Sequence, residues 1–402
     1  MGAEHLSPSD AAEHVARTSY GRLLARLAAS TGDVALAEDA LAGALEEALR
    51  RWPARGVPDN PEGWILTVAR NRQRDVWKSA AHRTGRPLEH AGDPRTDAAG
   101  PADLDLEAIG DKRLELLLVC AHPAIDPAVR SPLMLQTVLG LEAVDVARLF
   151  AVPTATMAQR LVRAKKRIRA NRVPFVVPDR SVLAERLPAV LEAVYGCAAA
   201  GAREDDLAGE AQYLAVTLAA LLEDEPEAWG LAALTTLALS RSRPRDAAYV
   251  PLDEQDPSTW DADLAAEGEA YLRRAASDGP PGRFVLEAAI SAVHADRRRT
   301  AITDWLALRT LYEALLLVSP TLGARVAHAG VVGRLEDPAA GLALLDGIGE
   351  SDFQPWHAVR AELLTRAGRT QDAAPALLRA AALSDNPRVT TYLLGRVSPS
   401  RG

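Results

Sequence analysis

The excess of alanine and leucine over aromatic residues most constrains the fold of this chain. Hydrophobic residues make up 48% of the 402 residues, but aromatic residues make up only 4%. Alanine and leucine favour helices, whereas strands draw on aromatic and β-branched residues. At about 150 residues per domain, the length corresponds to roughly two to three domains. We therefore predict an all-α protein with more than one domain.

The charges are unevenly distributed along the chain. The total is 46 basic against 54 acidic residues, a net charge of −8. By segment, the net charge is −3 over residues 1–15, +4 over 16–86, −5 over 87–110, +6 over 111–173 and −10 over 174–402. The net charge of −8 therefore includes two basic segments, residues 16–86 and 111–173, which we call the first and second basic blocks. Each block suits an anionic partner such as nucleic acid.

The N-terminal residues and the cysteine content predict a cytoplasmic protein. Two cysteines, Cys120 and Cys197, are too few for a disulfide framework. No basic stretch followed by an apolar run opens the sequence, and no apolar run reaches the roughly 18 residues that a membrane span requires.

The first basic block is predicted to be helical. Residues 15–54 are predicted to form helices with one break at Ser30–Asp33, and Trp52-Pro53 is predicted to end the second of them. The stretch Ala54–Pro61 is rich in Gly, Pro, Asp and Asn, which is typical of a loop. A new helix is then expected over Glu62–Ala81.

The second basic block follows an acidic connection. Thr84–Gly110 is rich in Gly, Pro, Asp and Ala and lacks apolar periodicity, which predicts a flexible linker. Asp111–Arg172 is expected to form another helical domain. Pro174 and Pro178 mark the next boundary.

The C-terminal half is predicted to consist of helix pairs separated by Pro and Gly turns. A 34-residue offset, the period of tetratricopeptide (TPR) repeats, aligns several of its small and apolar residues. The aligned pairs are Ala327 with Ala361, Ala340 with Ala374, and Leu344 with Leu378. We therefore expect a TPR-like arrangement.

The end of the second block is typical of a helix-turn-helix, with a helix over Ala143–Phe150, an Ala-Val-Pro turn and a helix over Thr154–Asn171. One face of the latter is apolar and carries Met157, Leu161, Ala164 and Ile168. The opposite face carries Thr156, Gln159, Arg163 and Lys166. Seven cations without an acid lie between 154 and 172, namely Arg160, Arg163, Lys165, Lys166, Arg167, Arg169 and Arg172. This pattern favours insertion of the second helix into the DNA major groove, and the alternative is an ordinary basic surface helix.

The helix over Glu62–Ala81 predicts a different nucleic-acid surface. Its apolar stripe holds Ile65, Val68, Ala69 and Val76, and its opposite half holds Thr67, Arg70, Asn71, Arg74, Trp77 and Lys78. An exposed tryptophan among arginines suits stacking on unpaired bases, although a half-buried tryptophan on a solvated face is the alternative. Arg72 falls within the apolar stripe, so we expect Glu38 or Asp39 to pair with it.

Several strings resemble the bacterial extracytoplasmic-function (ECF) sigma factors. Ala37-Glu-Asp39 followed by Arg50-Arg-Trp52 is similar to the core-binding part of sigma region 2, and Trp64–Asn71 with Asp75 is similar to regions 2.3 and 2.4. Asp145–Phe150 and Met157–Lys165 resemble the region 4 helix-turn-helix. The subgroup with a TPR-like C-terminal extension is resembled by Gly56–Pro61, Cys120–Pro123, Asp253–Asp256 with Trp260-Asp261, Ala288–Ala295, Thr303–Trp305 and Leu311-Tyr312.

The resemblance implies four segments and a set of partners. Residues 10–85 would be region 2, 86–110 an acidic flexible linker, 111–173 region 4, and 179–402 an α-helical TPR-like regulatory extension. The protein would direct promoter-specific initiation as a dissociable subunit of RNA polymerase core, docked on the clamp helices of the largest subunit and the flap of the second. Promoter DNA and a protein partner of the extension complete the expected partners. No enzymatic activity, cofactor, metal or membrane is expected.

The resemblance also implies roles for individual residues. The −35 element would be bound as duplex by Thr154, Thr156, Gln159, Arg160, Arg163 and Lys166. The −10 element would be bound as single strand by Asn60, Trp64, Arg70, Asn71, Arg74, Trp77 and Lys78, with an unstacked base held against the loop 55–61. Core polymerase would be bound by Glu38, Asp39, Arg50, Arg51 and Trp52.

Other interpretations remain open. A helix-turn-helix regulator with a TPR-like sensor half is the main alternative, and a TPR scaffold with incidental basic blocks is a second. Cys120 and His122 have no second pair of metal ligands at the spacing of a zinc site. The acidic and aromatic stretch Asp253–Asp261, together with His294 and Asp304-Trp305, is expected to supply helix caps and turn anchors rather than acid-base chemistry. Arg297–Arg299 is expected to satisfy carbonyls at a helix end.

Overall fold

Helices form every regular element that the structure describes, as the composition predicted. The computed structural model describes residues 7–84, 112–150, 152–201, 205–242 and 247–397. The predicted linker 86–110 lies outside these ranges. The chain forms two compact units, Met1–Cys197 and Ala198–Gly402. None of the described helices combines the length and the apolar character that a membrane crossing needs.

The first unit contains both basic blocks. Its helices are α1 (Pro8–Thr18), α2 (Tyr20–Thr31), α3 (Val34–Arg55), α4 (Pro61–Thr84), α5 (Arg113–Cys120), α6 (Pro127–Leu139), α7 (Ala143–Leu149), α8 (Thr154–Ala170) and most of α9 (Arg180–Gly201).

The second unit contains the acidic half. Its helices are α10 (Asp205–Leu221), α11 (Pro226–Leu239), α12 (Ala262–Arg274), α13 (Arg283–Ala295), the short α14 (Arg297–Thr300), α15 (Trp305–Val318), α16 (Leu322–Leu335), α17 (Pro338–Ile348), α18 (Gln354–Arg366), α19 (Thr370–Ala382) and α20 (Pro387–Val397). Consecutive helices from α15 to α20 pack on each other, and α16 also packs on α18.

Local sequence signals set the ends of the helices in the first unit. Asp33 and Asp126 accept hydrogen bonds from the first-turn amides of α3 and α6, and so satisfy donors that have no partner within the helix. Gly32 and Gly140 end α2 and α6 with φ values of 71° and 69°. Glycine is favoured there because side chains with a Cβ are strained in that conformation.

Two predicted bounds of the first block are wrong, because a second break lies at Ser19, between α1 and α2, and α3 does not end at Trp52-Pro53. The helix continues through Pro53 to Arg55, and Gly56 ends it with a φ of 83°. A single proline removes one amide donor, but the last turn still closes through the bond from the Gly56 amide to the Trp52 carbonyl, at 2.9 Å. Trp52, which is buried, anchors that turn.

The helix α2 lies at the centre of the first unit. Leu23, Leu24 and Leu27 are fully buried, and α2 packs against α3 as well as against α5 and α6. A Cβ on Gly21 would lie only 1.7 Å from the carbonyl oxygen of Val138 in α6, so only glycine permits this close crossing. The two basic blocks therefore share one hydrophobic core.

Candidate nucleic-acid interface

The buried stripe of α8 is the one that the sequence predicted. Met157, Leu161 and Ile168 are at most 1% exposed, and Ala164 is also buried. These residues recur at intervals of three and four, so they form one face of the helix. That face packs toward α3, α6 and α7, which leaves the opposite face of α8 open to solvent.

The open face of α8 carries the residues predicted to bind duplex DNA. Thr154, Gln159, Arg163 and Lys166 are exposed, and Thr156 and Arg160 are half-buried. The Arg163 Nε donates to the Gln159 carbonyl oxygen at 3.3 Å, which directs the guanidinium along the helix surface. Because α7 packs on α8, the pair has the order of elements of a helix-turn-helix. The face presents polar and cationic donors of the type that bind base edges and phosphates.

Two cations of this helix point instead toward the first basic block. The Lys165 Nζ lies 2.6 Å from each carboxylate oxygen of Glu38 in α3, and the Lys165 side chain is only 8% exposed. The Arg169 Nη1 lies 3.1 Å from the Asp33 carboxylate. Burial raises the pKa of the Glu38 carboxyl, although Lys165 lowers it and Asp39 raises it further. Spacing alone did not separate these two cations from the other five.

The buried row of α4 differs from the predicted stripe. Ile65, Ala69 and Gln73 lie four residues apart and are buried, whereas Val76 is 48% exposed. The predicted inclusion of Val76 is therefore wrong. Gln73 continues the row because its Nε2 donates to the Leu27 carbonyl oxygen at 3.4 Å, which lowers the cost of burying its amide.

The predicted partner of Arg72 is also wrong. Its Nη2 lies 3.7 Å from the Glu47 carboxylate, and the Arg72 side chain is 44% exposed rather than embedded in the core. A Cβ on Gly43 would lie 2.6 Å from the Arg72 Nη1, so this glycine makes room for the guanidinium on α3. Glu38 is unsuited to this pairing because it binds Lys165.

Glu47 is a charged residue that sequence reasoning missed. Its carboxylate is buried and contacts Arg50 and Arg51 as well as Arg72. Hydrogen bonding from Arg50 lowers the pKa of Glu47. Three arginines at i+3, i+4 and on the neighbouring helix are thus gathered around one carboxylate. The position of Glu47, three and four residues before Arg50 and Arg51 on a predicted helix, was the sequence signal that could have identified this cluster.

The residues predicted to bind core polymerase fall into two groups. Asp39, Arg50 and Arg51 are exposed. Trp52 is 2% exposed, and its ring packs edge-on against Trp64 with 5.6 Å between ring centroids. The Trp52 side chain therefore supports α3 from inside the unit and presents no ring to the surface.

The residues predicted to bind single-stranded DNA are likewise not equivalent. Asn71, Arg74 and Lys78 are exposed, whereas Trp64, Arg70 and Trp77 are half-buried. Asn60 accepts a hydrogen bond from the Gly63 amide at 2.8 Å and so caps the start of α4. The half-buried Trp77 matches the alternative considered from the sequence, in which this ring belongs partly to the core.

Cys120 and His122 have local partners. The Cys120 Sγ lies 3.5 Å from the Thr137 hydroxyl, and burial raises the pKa of the thiol to about 12. The His122 Nδ1 accepts a hydrogen bond from the Ala124 amide at 3.1 Å. Across the described ranges, no group of three or more His, Cys, Asp or Glu side chains is arranged to hold a metal ion.

The acidic segment of the second unit supplies caps and turn anchors, as predicted. Asp261 accepts hydrogen bonds from two first-turn amides of α12, both at 2.9 Å. Arg297 also binds carbonyls, but they belong to Leu252, Asp253 and Gln255, at 2.5 to 3.1 Å, and not to the end of its own helix. The guanidinium thereby fixes the segment before Trp260.

Comparisons with known proteins place this chain among uncharacterized relatives. Residues 186–276 match the model of a family of unknown function (DUF6596). An uncharacterized protein of Rhizobium meliloti (strain 1021) is 36% identical over 373 residues, which cover 89% of this chain and 88% of that protein. The chain belongs to the same family as that rhizobial protein. No solved structure matches the chain.

Proposed function

We propose that this protein is an ECF-type sigma factor, which binds RNA polymerase core and directs initiation at specific promoters. The observation that carries the proposal is the exposed polar and cationic face of α8, opposite a fully buried apolar stripe. A helix packed in this way behind a preceding short helix suits insertion into a major groove. We assign −35 recognition to this face.

We assign −10 recognition to α4 and to the loop before it. Asn71, Arg74 and Lys78 are exposed along one side of α4, where they can neutralise the phosphates of a single strand. Trp77 is half-buried and offers part of its ring for stacking. Asp39, Arg50 and Arg51 on α3 supply the exposed charges for contact with core polymerase.

We propose that the second unit is a TPR-like extension that regulates the first. Its helices α16, α17, α18 and α19 begin at Leu322, Pro338, Gln354 and Thr370, a constant spacing of 16 residues. Regular spacing of successive helices is a property of a helical repeat. This register supports a pair period of 32 residues in place of the 34-residue offset of the sequence pattern.

Run-off transcription tests the proposal. Core polymerase and this protein are combined with fragments of the protein's own genome, and promoter-specific transcripts are sequenced. We expect Arg163→Ala to weaken promoter use by about 1–3 kcal/mol, because it removes one base or phosphate contact. Arg298→Ala, an exposed arginine of the second unit, is the matched control and leaves transcription unchanged. The absence of any promoter-specific transcript would contradict the proposal.

A helix-turn-helix regulator with a TPR-like sensor half is the second candidate. It is favoured by a contrast between the two candidate surfaces: most residues assigned on α8 are exposed, whereas Asn60 caps α4 and the rings of Trp64 and Trp77 are half-buried in the first unit. A regulator binds duplex operator DNA without core polymerase. Duplex binding at one specific site, combined with no transcription in the core-dependent assay, would select this candidate.

A further inference from the structure

A cavity of the size that holds a small molecule lies in the second unit. Its volume is about 370 Å³, and sites for small molecules typically have volumes of about 300–1,000 Å³. The cavity lies between the segment 249–254 and the helices α16, α18, α19 and α20. We call it the C-terminal cavity. Its apolar wall includes Val359, Leu363, Leu377, Val389 and Leu393.

The wall formed by the segment 249–254 is fixed by side chains that do not line the cavity. The Arg297 guanidinium donates to three backbone carbonyl oxygens between Leu252 and Gln255. The Gln255 Nε2 donates to the Val250 carbonyl oxygen at 3.0 Å. A wall that is fixed before a ligand arrives loses little conformational freedom on binding, which favours affinity.

The two arginines that line the C-terminal cavity already have carboxylate partners. Arg334 forms ion pairs with Asp253 and with Glu362, both through its Nη2 atom. The Arg396 Nη2 donates to the Glu362 carboxylate at 3.0 Å. Arg366, which does not line the cavity, also contacts Glu362 at 3.0 Å, from the next turn of α18. An anionic ligand would therefore have to compete with Asp253 and Glu362 for the lining arginines.

Glu254 differs from the other lining acids because its partner is a neutral group. Its carboxylate accepts a hydrogen bond from the Tyr392 hydroxyl at 3.1 Å, and among the described residues no cation forms an ion pair with it. The Tyr249 ring packs edge-on against the Tyr392 ring, with 5.3 Å between centroids. Burial raises the pKa of the Tyr249 hydroxyl, and the charges of Asp253 and Glu254 raise it further. This end of the cavity therefore combines an aromatic surface with a negative potential.

We propose that the C-terminal cavity binds a small organic cation, with an ammonium group against the Tyr249 ring and the Glu254 carboxylate and an apolar body against the cavity wall. The Arg396 guanidinium lies over the Tyr392 ring, 5.8 Å from its centroid, so the ligand cation is assigned to Tyr249, which is 40% exposed. Aromatic rings attract ammonium groups electrostatically, and burial of the apolar body adds affinity. This inference concerns the second unit alone and holds whether or not the first unit is a sigma factor.

Calorimetric titration of the full chain with three probes tests the charge of the ligand. The probes are octyltrimethylammonium, octanol and octanoate, which share an apolar chain and differ in the charge of the head group. We expect the cation to bind about tenfold more tightly than the other two, because only the cation matches Glu254 and Tyr249. Equal affinities would overturn the proposal, because apolar burial alone would then drive binding. Tighter binding of octanoate, or no binding of any probe, would also overturn it.

Two variants locate the cation on the molecule. Glu254→Gln removes the charge and Tyr249→Leu removes the ring, and both residues are exposed, so the fold should survive, which circular dichroism checks. We expect each variant to bind octyltrimethylammonium about threefold to tenfold more weakly and to bind octanol as wild type does. Glu350→Gln, at an exposed acid of the same unit that does not line this cavity, is the matched control and should bind as wild type does. Wild-type affinity for the cation in both site variants would overturn the proposal.

Discussion

Several charged and aromatic side chains of the first unit have their partners on other helices. Lys165 binds Glu38 across 127 positions, and the Trp52 ring meets Trp64. Sequence patterns assigned both Glu38 and Trp52 to a surface for polymerase. Because both side chains are partly or fully buried, their substitution is expected to lower the stability of the fold. A loss of polymerase binding in such a variant would therefore not by itself show that the residue contacts polymerase.

Trp52→Ala is expected to lower the free energy of unfolding by about 3–5 kcal/mol, since it removes a fully buried ring that packs on Trp64. Urea unfolding of the full chain, followed by circular dichroism, measures this loss. Arg51→Ala, at an exposed neighbour that contacts Glu47, should change stability by less than about 1 kcal/mol. Equal stabilities for the two variants would show that Trp52 is not a packing residue.

At the scale of the elements, α2 joins the two basic blocks. It packs on α3 and also on α5 and α6, although its sequence shows only an amphipathic helix. The close crossing with α6 depends on a residue without a side chain at Gly21. A glycine inside a helix weakens the helix slightly. Gly21 therefore stabilises the unit only through the close packing of α2 on α6 that it permits.

Gly21→Ala is expected to destabilise the first unit by roughly 1–3 kcal/mol, because its methyl group would overlap the Val138 carbonyl. Gly196→Ala in α9 is a matched control in which a Cβ meets nothing within 4 Å. The control should gain up to about 1 kcal/mol from helix propensity. Thermal unfolding of both variants checks the opposite signs, and a neutral Gly21→Ala would rule out the close crossing.

On the scale of the whole molecule, the two units contain buried groups that respond to acid in opposite directions. In the first unit, burial raises the pKa of Glu38, which faces Lys165, Tyr20, Asp39 and Cys120. In the second unit, burial lowers the pKa of His294 to about 4, with Arg241, Arg297 and Arg334 lowering it further against the opposing charge of Asp253.

These directions predict the response to acid. The folded protein binds a proton at Glu38 more readily than the unfolded protein does, so protonation of Glu38 stabilises the fold. This stabilisation is complete below the unfolded pKa of about 4.3 and is lost as the pH rises through the raised pKa of the folded state. His294 resists protonation when folded, so stability falls as pH drops below about 6.5, by about 2 kcal/mol at pH 5.

Hydrogen exchange, corrected for intrinsic rates and resolved by peptide, measures the two contributions separately from pH 7 down to about pH 4, below the unfolded pKa of glutamate. We expect Glu38→Gln to remove an acid-induced gain around α3 and α8, and His294→Gln to remove an acid-induced loss around α13. If neither substitution alters the pH dependence of its own unit, the burial of these two groups does not govern the acid response.

The sequence by itself determined the helical class, the approximate ends of α4, α7 and α8, and the two faces of α8, because these follow from propensity, capping and a period of 3.6 residues. These are local properties, and no distant residue is needed to establish them. The same local reasoning identified Asp261 as a cap and left the register of the helix pairs approximate.

Only the tertiary structure decided which charges are buried and which residues pair. Spacing could not assign Arg72 to Glu47 or Lys165 to Glu38, because the pairs join helices whose relative placement depends on the whole core. It also could not reveal that two basic blocks separated by an acidic segment share one core around α2. Helix faces follow from the period of the sequence, whereas partners depend on how those faces are packed together.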